Sequence, residues 1–253
     1  MIADNATREE QVLLARYADR GVRHVAVTGA SGLVGSALVP LLAAGGHRVT
    51  RLVRRAAKEG EVTWDPQNGF DTAALGGVEA IVHLAGENIA AGRWTGVVKE
   101  RIRTSRVQGT RTLCEGLARL QPRPQALVCA SAIGFYGDRG DEQLTEQSSG
   151  GAGFLADVVR EWEAAAQPAR DAGIRVVHLR FGVILSAKGG ALAKMLLPFK
   201  LGAGGRVGSG RQYWSWIAID DAAGAIYHAM MTDSLAGPVN AVAPHPATNI
   251  EFT

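Results

Sequence analysis

The stretch "RHVAVTGASGLVGSALVPLLAAGGHRVTRLVRR", residues 23–55, decides the fold of this chain. It opens with a β-branched apolar run, passes three glycines spaced three residues apart (Gly29, Gly32 and Gly35), and continues with helical periodicity. This order predicts a strand, a tight turn and a helix. Such a turn brings the first backbone N–H groups of the helix above the strand, where these groups and the helix dipole favour a phosphate.

Each glycine has its own role in this prediction. Gly29 permits the turn, Gly32 leaves room for a pyrophosphate, and Gly35 lets the helix pack closely on the strand. We therefore predict that the whole turn binds a dinucleotide through Gly29, Ala30, Ser31, Gly32, Leu33, Val34 and Gly35.

The rest of the chain alternates strand and helix patterns. Strands are expected near 23–28, 48–53, 79–84, 126–130 and 175–180, and helices near 33–44, 96–119, 153–172 and 219–231. This order predicts an α/β fold, a Rossmann-type doubly wound parallel sheet with helices on both faces. Residues 1–22 form an N-terminal extension with a short helix over 7–19, and 23–253 form the nucleotide-binding domain. The glycine-rich stretch 186–216 is expected to be a small substrate lobe over the carboxyl ends of the strands.

Composition narrows the partners. The 253 residues have a net charge of +3, and the basic residues are interspersed with acids, which disfavours a nucleic-acid surface. Two cysteines and six histidines, none at metal-ligand spacing, indicate a reducing compartment and no metal. The polar start and the lack of any run of about 18 apolar residues predict a cytoplasmic protein without a membrane partner. We expect a small-molecule substrate, and a homodimer is compatible with this composition.

The second predicted strand indicates which dinucleotide is bound. Its sequence "HRVTRLVRRAAK" ends with Arg54 and Arg55 and has no acid before Glu59. An acid there would accept hydrogen bonds from the ribose 2′-OH of NAD, whereas a guanidinium can bind the 2′-phosphate of NADP. We predict NADP as the cofactor, with Arg54 on that phosphate; a merely solvated Arg54 is the alternative. Arg101 and Arg106 are further candidates for phosphate contacts, and solvation at the surface is the alternative for Arg101.

Several motifs resemble one protein family. "TGASGLVG" at 28–35 is similar to the TGxxGxxG motif of extended and atypical short-chain dehydrogenase/reductases. The segments "HLAGENIAAGRW", "RIRTSRVQGT", "EWEAAA", "LRFGVIL", "GGRVGSGRQYWSWI" and "GPVNAVAPHPATNIEF" resemble an atypical subgroup described as nucleoside-diphosphate-sugar epimerase-like. The resemblance implies cofactor contacts at Arg54, Leu84, Ala85, Gly86 and Ile184. It also implies that the small C-terminal domain usual in the subgroup is absent from this sequence.

The resemblance also implies where catalytic groups should stand. The family uses a Ser, a Tyr and a Lys to exchange a proton with the substrate, and these positions hold Ala132, Leu155 and Val159 here. Ser131 and Tyr136 lie nearby and are the candidate catalytic residues. The alternative is that Ser131 satisfies backbone groups at a strand end and that Tyr136 packs under the lobe.

Gln212 and Trp214 are candidate substrate-binding residues, with a place in the lobe's own core as the alternative. The predicted function is an NADP(H)-dependent oxidoreductase or epimerase-like enzyme for a carbonyl or sugar-nucleotide-like molecule, without the standard triad. The alternative is a non-catalytic NADP(H)-binding sensor or regulator.

Overall fold

The computed structural model describes residues 2–90 and 92–253. Its strands are β1 (His24–Thr28), β2 (Arg48–Val53), β3 (Glu61–Asp65), β4 (Gly69–Phe70), β5 (Ala80–His83), β6 (Ala126–Ala132), β7 (Arg175–Phe181), β8 (Val183–Ser186), β9 (Tyr213–Trp214), β10 (Trp216–Ala218), β11 (Gly237–Ala241) and β12 (Ala247–Thr248). Its helices are α1 (Ile2–Arg16), α2 (Leu33–Ala44), α3 (Gly96–Ala118), α4 (Phe154–Ala164), α5 (Gln167–Asp171), α6 (Gly190–Lys200), α7 (Ile219–Met231) and α8 (Asn249–Phe252).

Eight strands form the central sheet in the order β11-β7-β6-β5-β1-β2-β3-β4. All neighbours are parallel except β3 and β4. The strand order reverses at β1, which has β2 on one side and β5 on the other, so a crevice opens there at the carboxyl edge. The predicted α/β, Rossmann-type doubly wound sheet is confirmed.

Two apolar layers cover the sheet. On one face, Val25 and Val27 of β1 pack with residues of α2 and α7 such as Leu38 and Ile226. On the other face, Ala26 packs with residues of the neighbouring strands and of α3. Burial on both faces explains why the central strands are apolar without alternation. Within the described residues, no helix combines the length and the apolar content needed to cross a bilayer.

Some sequence predictions missed element boundaries. The single helix expected over 153–172 is two helices, α4 and α5, and Pro168 lies at the start of the second. A proline fits the first turn of a helix because that position needs no N–H donor, whereas further inside it breaks the hydrogen-bond ladder. The stretch 186–216 starts at the last residue of β8, contains helix α6 and strand β9, and ends at the first residue of β10. Strand β9 pairs with β12, which lies near residue 253.

Two histidines are buried between the sheet and its helices. His83 is bonded through Nδ1 to the Thr28 hydroxyl at 2.7 Å and through Nε2 to the Thr110 hydroxyl at 3.0 Å. Neither ring nitrogen of His178 has a hydrogen-bond partner among the described residues. Burial disfavours the charged imidazolium and lowers the pKa of each to about 4.

These shifts predict an acid-sensitive fold. The unfolded chain takes up each proton near pH 6.5, but the folded chain does so only near pH 4. Between these values the unfolded state binds more protons than the folded state. The free energy of unfolding should therefore decrease as the pH is lowered from about 6.5 to about 4, by roughly 3 kcal/mol for each histidine. Urea titrations at pH 8, 6 and 4.5 measure this.

The variant His178→Leu removes one of these two strongly shifted histidines, whose imidazole is buried without a partner among the described residues. Its unfolding free energy should change less between pH 8 and 4.5 than that of the parent protein. At pH 8 both histidines are neutral in both states, so that measurement is the reference. Equal losses in parent and variant would contradict the assignment.

Candidate functional site

The glycine turn lies at the crevice between β1 and β5. Gly29 has a φ of +68°, and a Cβ there would lie 2.8 Å from the Leu84 carbonyl carbon of the loop after β5. A Cβ on Gly35 would lie 2.3 Å from the Gly29 carbonyl oxygen. No side chain could be accommodated at either position without moving backbone. Both glycines are therefore required by packing.

Gly32 differs from the other two glycines. It is exposed, its backbone is extended, and a Cβ there would meet only the Gly29 carbonyl oxygen at 3.2 Å. It is the N-terminal cap of α2, and no side chain caps this helix end. The first-turn N–H groups of a helix have no intrahelical acceptor. The turn thus combines uncapped donors with an open approach, which fits a phosphate.

Thr28 holds the loop after β5, which forms the other side of the crevice. Its hydroxyl accepts hydrogen bonds from the Leu84 and Ala85 N–H groups at 3.1 and 3.2 Å. Next to them, Arg106 donates to the Glu87 carbonyl at 3.0 Å, and its guanidinium carbon would lie 3.3 Å from a Cβ on Gly86. Arg106 therefore anchors the loop 84–87, and its predicted contact with a phosphate stays a prediction.

A cavity of about 770 Å³ opens beyond the end of β2, lined by Arg54, Asp65, Gln67, Val97, Arg101, Thr104 and other residues. Arg54 is exposed and has no ion pair or hydrogen bond to any described residue. Its neighbour Arg55 instead donates to both carboxylate oxygens of Glu61 at 2.7 Å each, which lowers the pKa of Glu61 to about 2. Arg101 is 3.6 Å from the Glu87 carboxylate. Of these three arginines, Arg54, which was predicted to bind the 2′-phosphate, is the one without a partner among the described residues.

The lobe begins directly above the glycine turn. Strand β8 carries Ile184 and pairs with β10, and the turn after β8 lies against the first residue of α2. A Cβ on Gly189 would lie 3.2 Å from Leu33 Cδ1, and one on Gly190 would lie 3.5 Å from the Ile184 carbonyl oxygen. Ile184 is thereby close to the turn 29–35. Further along, Lys194 Nζ donates to the Ala90 carbonyl at 2.7 Å and connects the lobe to the loop after β5.

Ser131 and Tyr136 belong to a closed polar network. The Ser131 hydroxyl donates to Glu163 at 2.6 Å, and Glu163 accepts two hydrogen bonds from Arg180 at 2.9 and 2.8 Å. The Tyr136 hydroxyl accepts from Arg180 at 3.0 Å and donates to Asn240 at 2.6 Å. Both hydroxyl protons are thus donated inside the protein, which favours the structural alternative. A catalytic role for either residue stays a prediction.

The charges of this network stabilise one another. Burial disfavours the Glu163 carboxylate, but the hydrogen bonds from Arg180 and Ser131 outweigh it, so the pKa of Glu163 is lowered. The Arg180 guanidinium also lies over the Phe135 ring, 3.5 Å from its centroid. Arg180 was not predicted from the sequence as a structural residue. The available signal was an arginine near the end of β7, a strand that is buried almost throughout.

The position that the resemblance assigns to the catalytic tyrosine holds an apolar residue, Leu155. Leu155 is 38% exposed, and a Cβ on Gly134 would lie 3.6 Å from Leu155 Cβ. The neighbouring Phe154 makes an edge contact with Trp94, with ring centroids 5.7 Å apart. Apolar side chains therefore occupy the place where the resemblance predicts a proton donor, and that correspondence stays a prediction.

Gln212 and Trp214 make contacts within the lobe. Gln212 Nε2 donates to the Val207 carbonyl at 2.8 Å. Trp214 stacks on Phe252 with centroids 5.2 Å apart and an interplanar angle of 23°. The stacking favours the lobe-core alternative for Trp214, which is half-buried, whereas Gln212 is exposed and does not lie in a core. A role in substrate binding stays a prediction for both residues.

The strand order and the glycine turn define a Rossmann-type fold, and comparisons identify the family. The family model described as "NAD dependent epimerase/dehydratase family" matches residues 25–241. The chain belongs to this family, and the resemblance seen in the sequence is confirmed.

Relatives agree with this assignment. An epimerase family protein of Mycobacterium bovis is 46% identical over 231 residues, which are 90% of this chain and 76% of the relative. A solved nucleoside-diphosphate sugar epimerase of Corynebacterium glutamicum is 44% identical with a TM-score of 0.87, over 97% of this chain and 52% of that one. The solved human epimerase family protein SDR39U1, determined with NADPH, is 39% identical with a TM-score of 0.83, over 90% and 77% of the two chains.

The buried pair of Glu163 and Arg180 predicts a large stability difference between two glutamates on the same helix. Glu163→Gln leaves the Arg180 charge buried without its partner and should lower the free energy of unfolding by about 3–5 kcal/mol. Glu161→Gln is the matched control, because Glu161 pairs with Arg103 at 3.6 Å on the surface. Its cost should stay below about 1 kcal/mol. Urea unfolding measures both, and equal costs would contradict the network.

Proposed function

We propose that this chain binds NADP(H) across the β1–β5 crevice. In this proposal the α2 N-terminus holds the pyrophosphate and Arg54 binds the 2′-phosphate. The contrast between Arg54, which lacks a partner among the described residues, and Arg55, which is engaged by Glu61, carries the proposal. The NADPH found with the human relative supports it.

We further propose that the bound cofactor serves an oxidoreductase or epimerase-like reaction on a carbonyl or sugar-nucleotide-like molecule. NADP(H), when bound, supplies or accepts a hydride. In this proposal the chain's own residues would hold the phosphates, and the apolar side chains of Leu155, Phe154 and Trp94 would line the site of reaction. Apolar side chains there would limit the access of water to the reacting carbon once the cofactor is bound.

The same apolar surface favours a second candidate, a non-catalytic NADP(H) sensor. Ser131 and Tyr136 are both engaged in the network with Arg180, and Leu155 cannot exchange a proton. A protein of this kind would bind the cofactor and change shape without turning it over.

The cofactor assignment predicts a selectivity that Arg54 controls. A charge-assisted hydrogen bond contributes roughly 1.5–3 kcal/mol, on the order of tenfold to a hundredfold in affinity. NADPH should therefore bind at least about tenfold tighter than NADH, and Arg54→Gln should remove the difference. Calorimetric titration with both cofactors measures this.

Arg55→Gln is the matched control for the selectivity measurement. It removes the same charge one residue away, but that charge is engaged by Glu61. This variant should keep the preference for NADPH. Equal affinities in the parent protein, or equal effects of the two variants, would contradict the assignment.

Turnover separates the enzyme from the sensor. The NADPH-loaded protein is mixed with aldehydes, ketones, quinones and sugar nucleotides while the nicotinamide absorbance is followed, and epimerised products are sought by chromatography. Substrate-dependent change that is lost in Leu155→Arg, whose charge would enter the apolar surface, supports the enzyme. Tight NADPH binding with no conversion of any compound supports the sensor.

A further inference from the structure

Thr28 and His83 end the two neighbouring strands that flank the crevice. Thr28 is the last residue of β1 and directly precedes the glycine turn, whereas His83 is the last residue of β5 and directly precedes the loop 84–87. The two residues are partners in the β1–β5 pairing, and both are fully buried. Paired residues of neighbouring strands point to the same face of a sheet, so the two side chains lie side by side.

The hydrogen bonds of the Thr28 hydroxyl determine the state of the His83 ring. A threonine hydroxyl has one hydrogen and two acceptor lone pairs. The Leu84 and Ala85 N–H groups, at 3.1 and 3.2 Å, use both lone pairs. The hydroxyl hydrogen is therefore donated to His83 Nδ1, 2.7 Å away, and this ring nitrogen carries no proton.

The other ring nitrogen agrees with this assignment. A neutral imidazole without a proton on Nδ1 carries it on Nε2, and Nε2 donates to the Thr110 hydroxyl at 3.0 Å. The Thr110 oxygen also accepts from Trp162 Nε1 at 2.9 Å. Burial and the neighbouring His178 lower the pKa of His83 to about 4, so the ring is neutral at pH 7. The surroundings thus hold His83 in one tautomer.

The Ala85 N–H group depends on this tautomer more than the Leu84 N–H group does. The Leu84 N–H group also approaches the Thr28 carbonyl oxygen at 3.3 Å. The Ala85 N–H group has the Thr28 hydroxyl as its single acceptor among the described residues. Without an acceptor at His83 Nδ1, the hydroxyl hydrogen would be buried without a partner. A rotation that relieves this would turn a lone pair away from Ala85.

We propose that His83 is a positioning residue of the crevice, whose Nδ1 orients the Thr28 hydroxyl so that this hydroxyl holds the backbone of Leu84 and Ala85. The inference rests on the proposed function for its consequence, because the loop 84–87 carries the cofactor contacts that the resemblance implies. No part of the His83 ring reaches the surface, so it acts on the cofactor only through Thr28.

Nuclear magnetic resonance of the parent protein tests the tautomer without any variant. At pH 7 the nitrogen shifts of His83 should show an unprotonated Nδ1 and a protonated Nε2, and His83→Gln identifies these signals by their loss. The Ala85 amide should exchange its hydrogen slowly in the parent protein and faster in His83→Gln. A proton on Nδ1 in the parent protein, or unchanged exchange at Ala85 in the variant, overturns the proposal.

Two amide variants separate positioning from packing. The side-chain oxygen of His83→Asn can accept from Thr28 near the place of Nδ1, whereas His83→Gln is longer and brings its amide near the place of Nε2. Both variants lose the buried ring, so their melting temperatures should fall by similar amounts. NADPH should bind about fivefold more weakly, or worse, to His83→Gln than to His83→Asn, as expected for one hydrogen bond. Equal affinities overturn the proposal.

His178→Gln is the matched control for the affinity measurement. It makes the same change at the other buried histidine, whose ring nitrogens have no partner among the described residues. This variant should bind NADPH like the parent protein. A loss of affinity equal to that of His83→Gln would show a general effect of core destabilisation and would overturn the proposal.

The variant Thr28→Val tests whether His83 acts through the hydroxyl, which it removes while keeping the branched shape. In this background, the additional change His83→Gln should cost no further NADPH affinity. A further loss as large as in the parent protein contradicts a path through Thr28.

The outcomes also separate this proposal from the proposed function. If the parent protein does not bind NADPH, the proposed function fails, and the His83 tautomer and the Ala85 exchange still decide the role of His83. If the parent protein binds NADPH and the two amide variants bind it equally, only the role of His83 is overturned.

Discussion

The approach of helix α2 to the turn after β1 is the constraint on which the rest of the site depends. A Cβ on Gly35 would overlap the Gly29 carbonyl at 2.3 Å, so only glycine lets the helix start this close to the strand. Because the helix starts there, its uncapped N-terminus opens at the carboxyl edge of the sheet. Because Gly29 in turn touches the backbone at Leu84, the loops after β1 and β5 lie side by side. The crevice is the direct result of these two contacts.

A second constraint explains why polar groups near the crevice are engaged in structure. The Arg180 guanidinium is buried, and a buried charge is stable only when it is paired and its donors are satisfied. This guanidinium donates to Glu163 and to the Tyr136 hydroxyl, and it lies over the Phe135 ring. The Ser131 hydroxyl donates a further hydrogen bond to Glu163. The network joins β6, β7 and α4 under the segment that follows β6. The network engages the hydroxyl groups of Ser131 and Tyr136, which would otherwise be available for proton exchange.

Local patterns were predictable from the sequence, and long-range pairings were not. The glycine spacing specified strand, turn and helix because each role depends on neighbours within a few residues. Pro168 is also a local signal, because it favours the start of a new helix, but the break between α4 and α5 was not predicted from it. The partners of Tyr136 are different: Arg180 and Asn240 follow it by 44 and 104 residues. Nor could spacing tell Arg54 from Arg55, since the distinction depends on Glu61, which the β2–β3 pairing brings beside Arg51 and so close to Arg55.

One residue of the glycine turn contacts the lobe, and this contact links the two halves of the candidate site. Leu33 begins α2, whose N–H groups face the proposed pyrophosphate, and its side chain touches the lobe turn at Gly189 and Gly190. Through this contact, a ligand bound at the start of α2 would act on the turn after β8 as well. By linkage, the cofactor and a ligand held against that turn would change each other's affinity by the same factor. This coupling would serve an enzyme by assembling both ligands in order, and it would serve a sensor by turning cofactor occupancy into a change in the lobe.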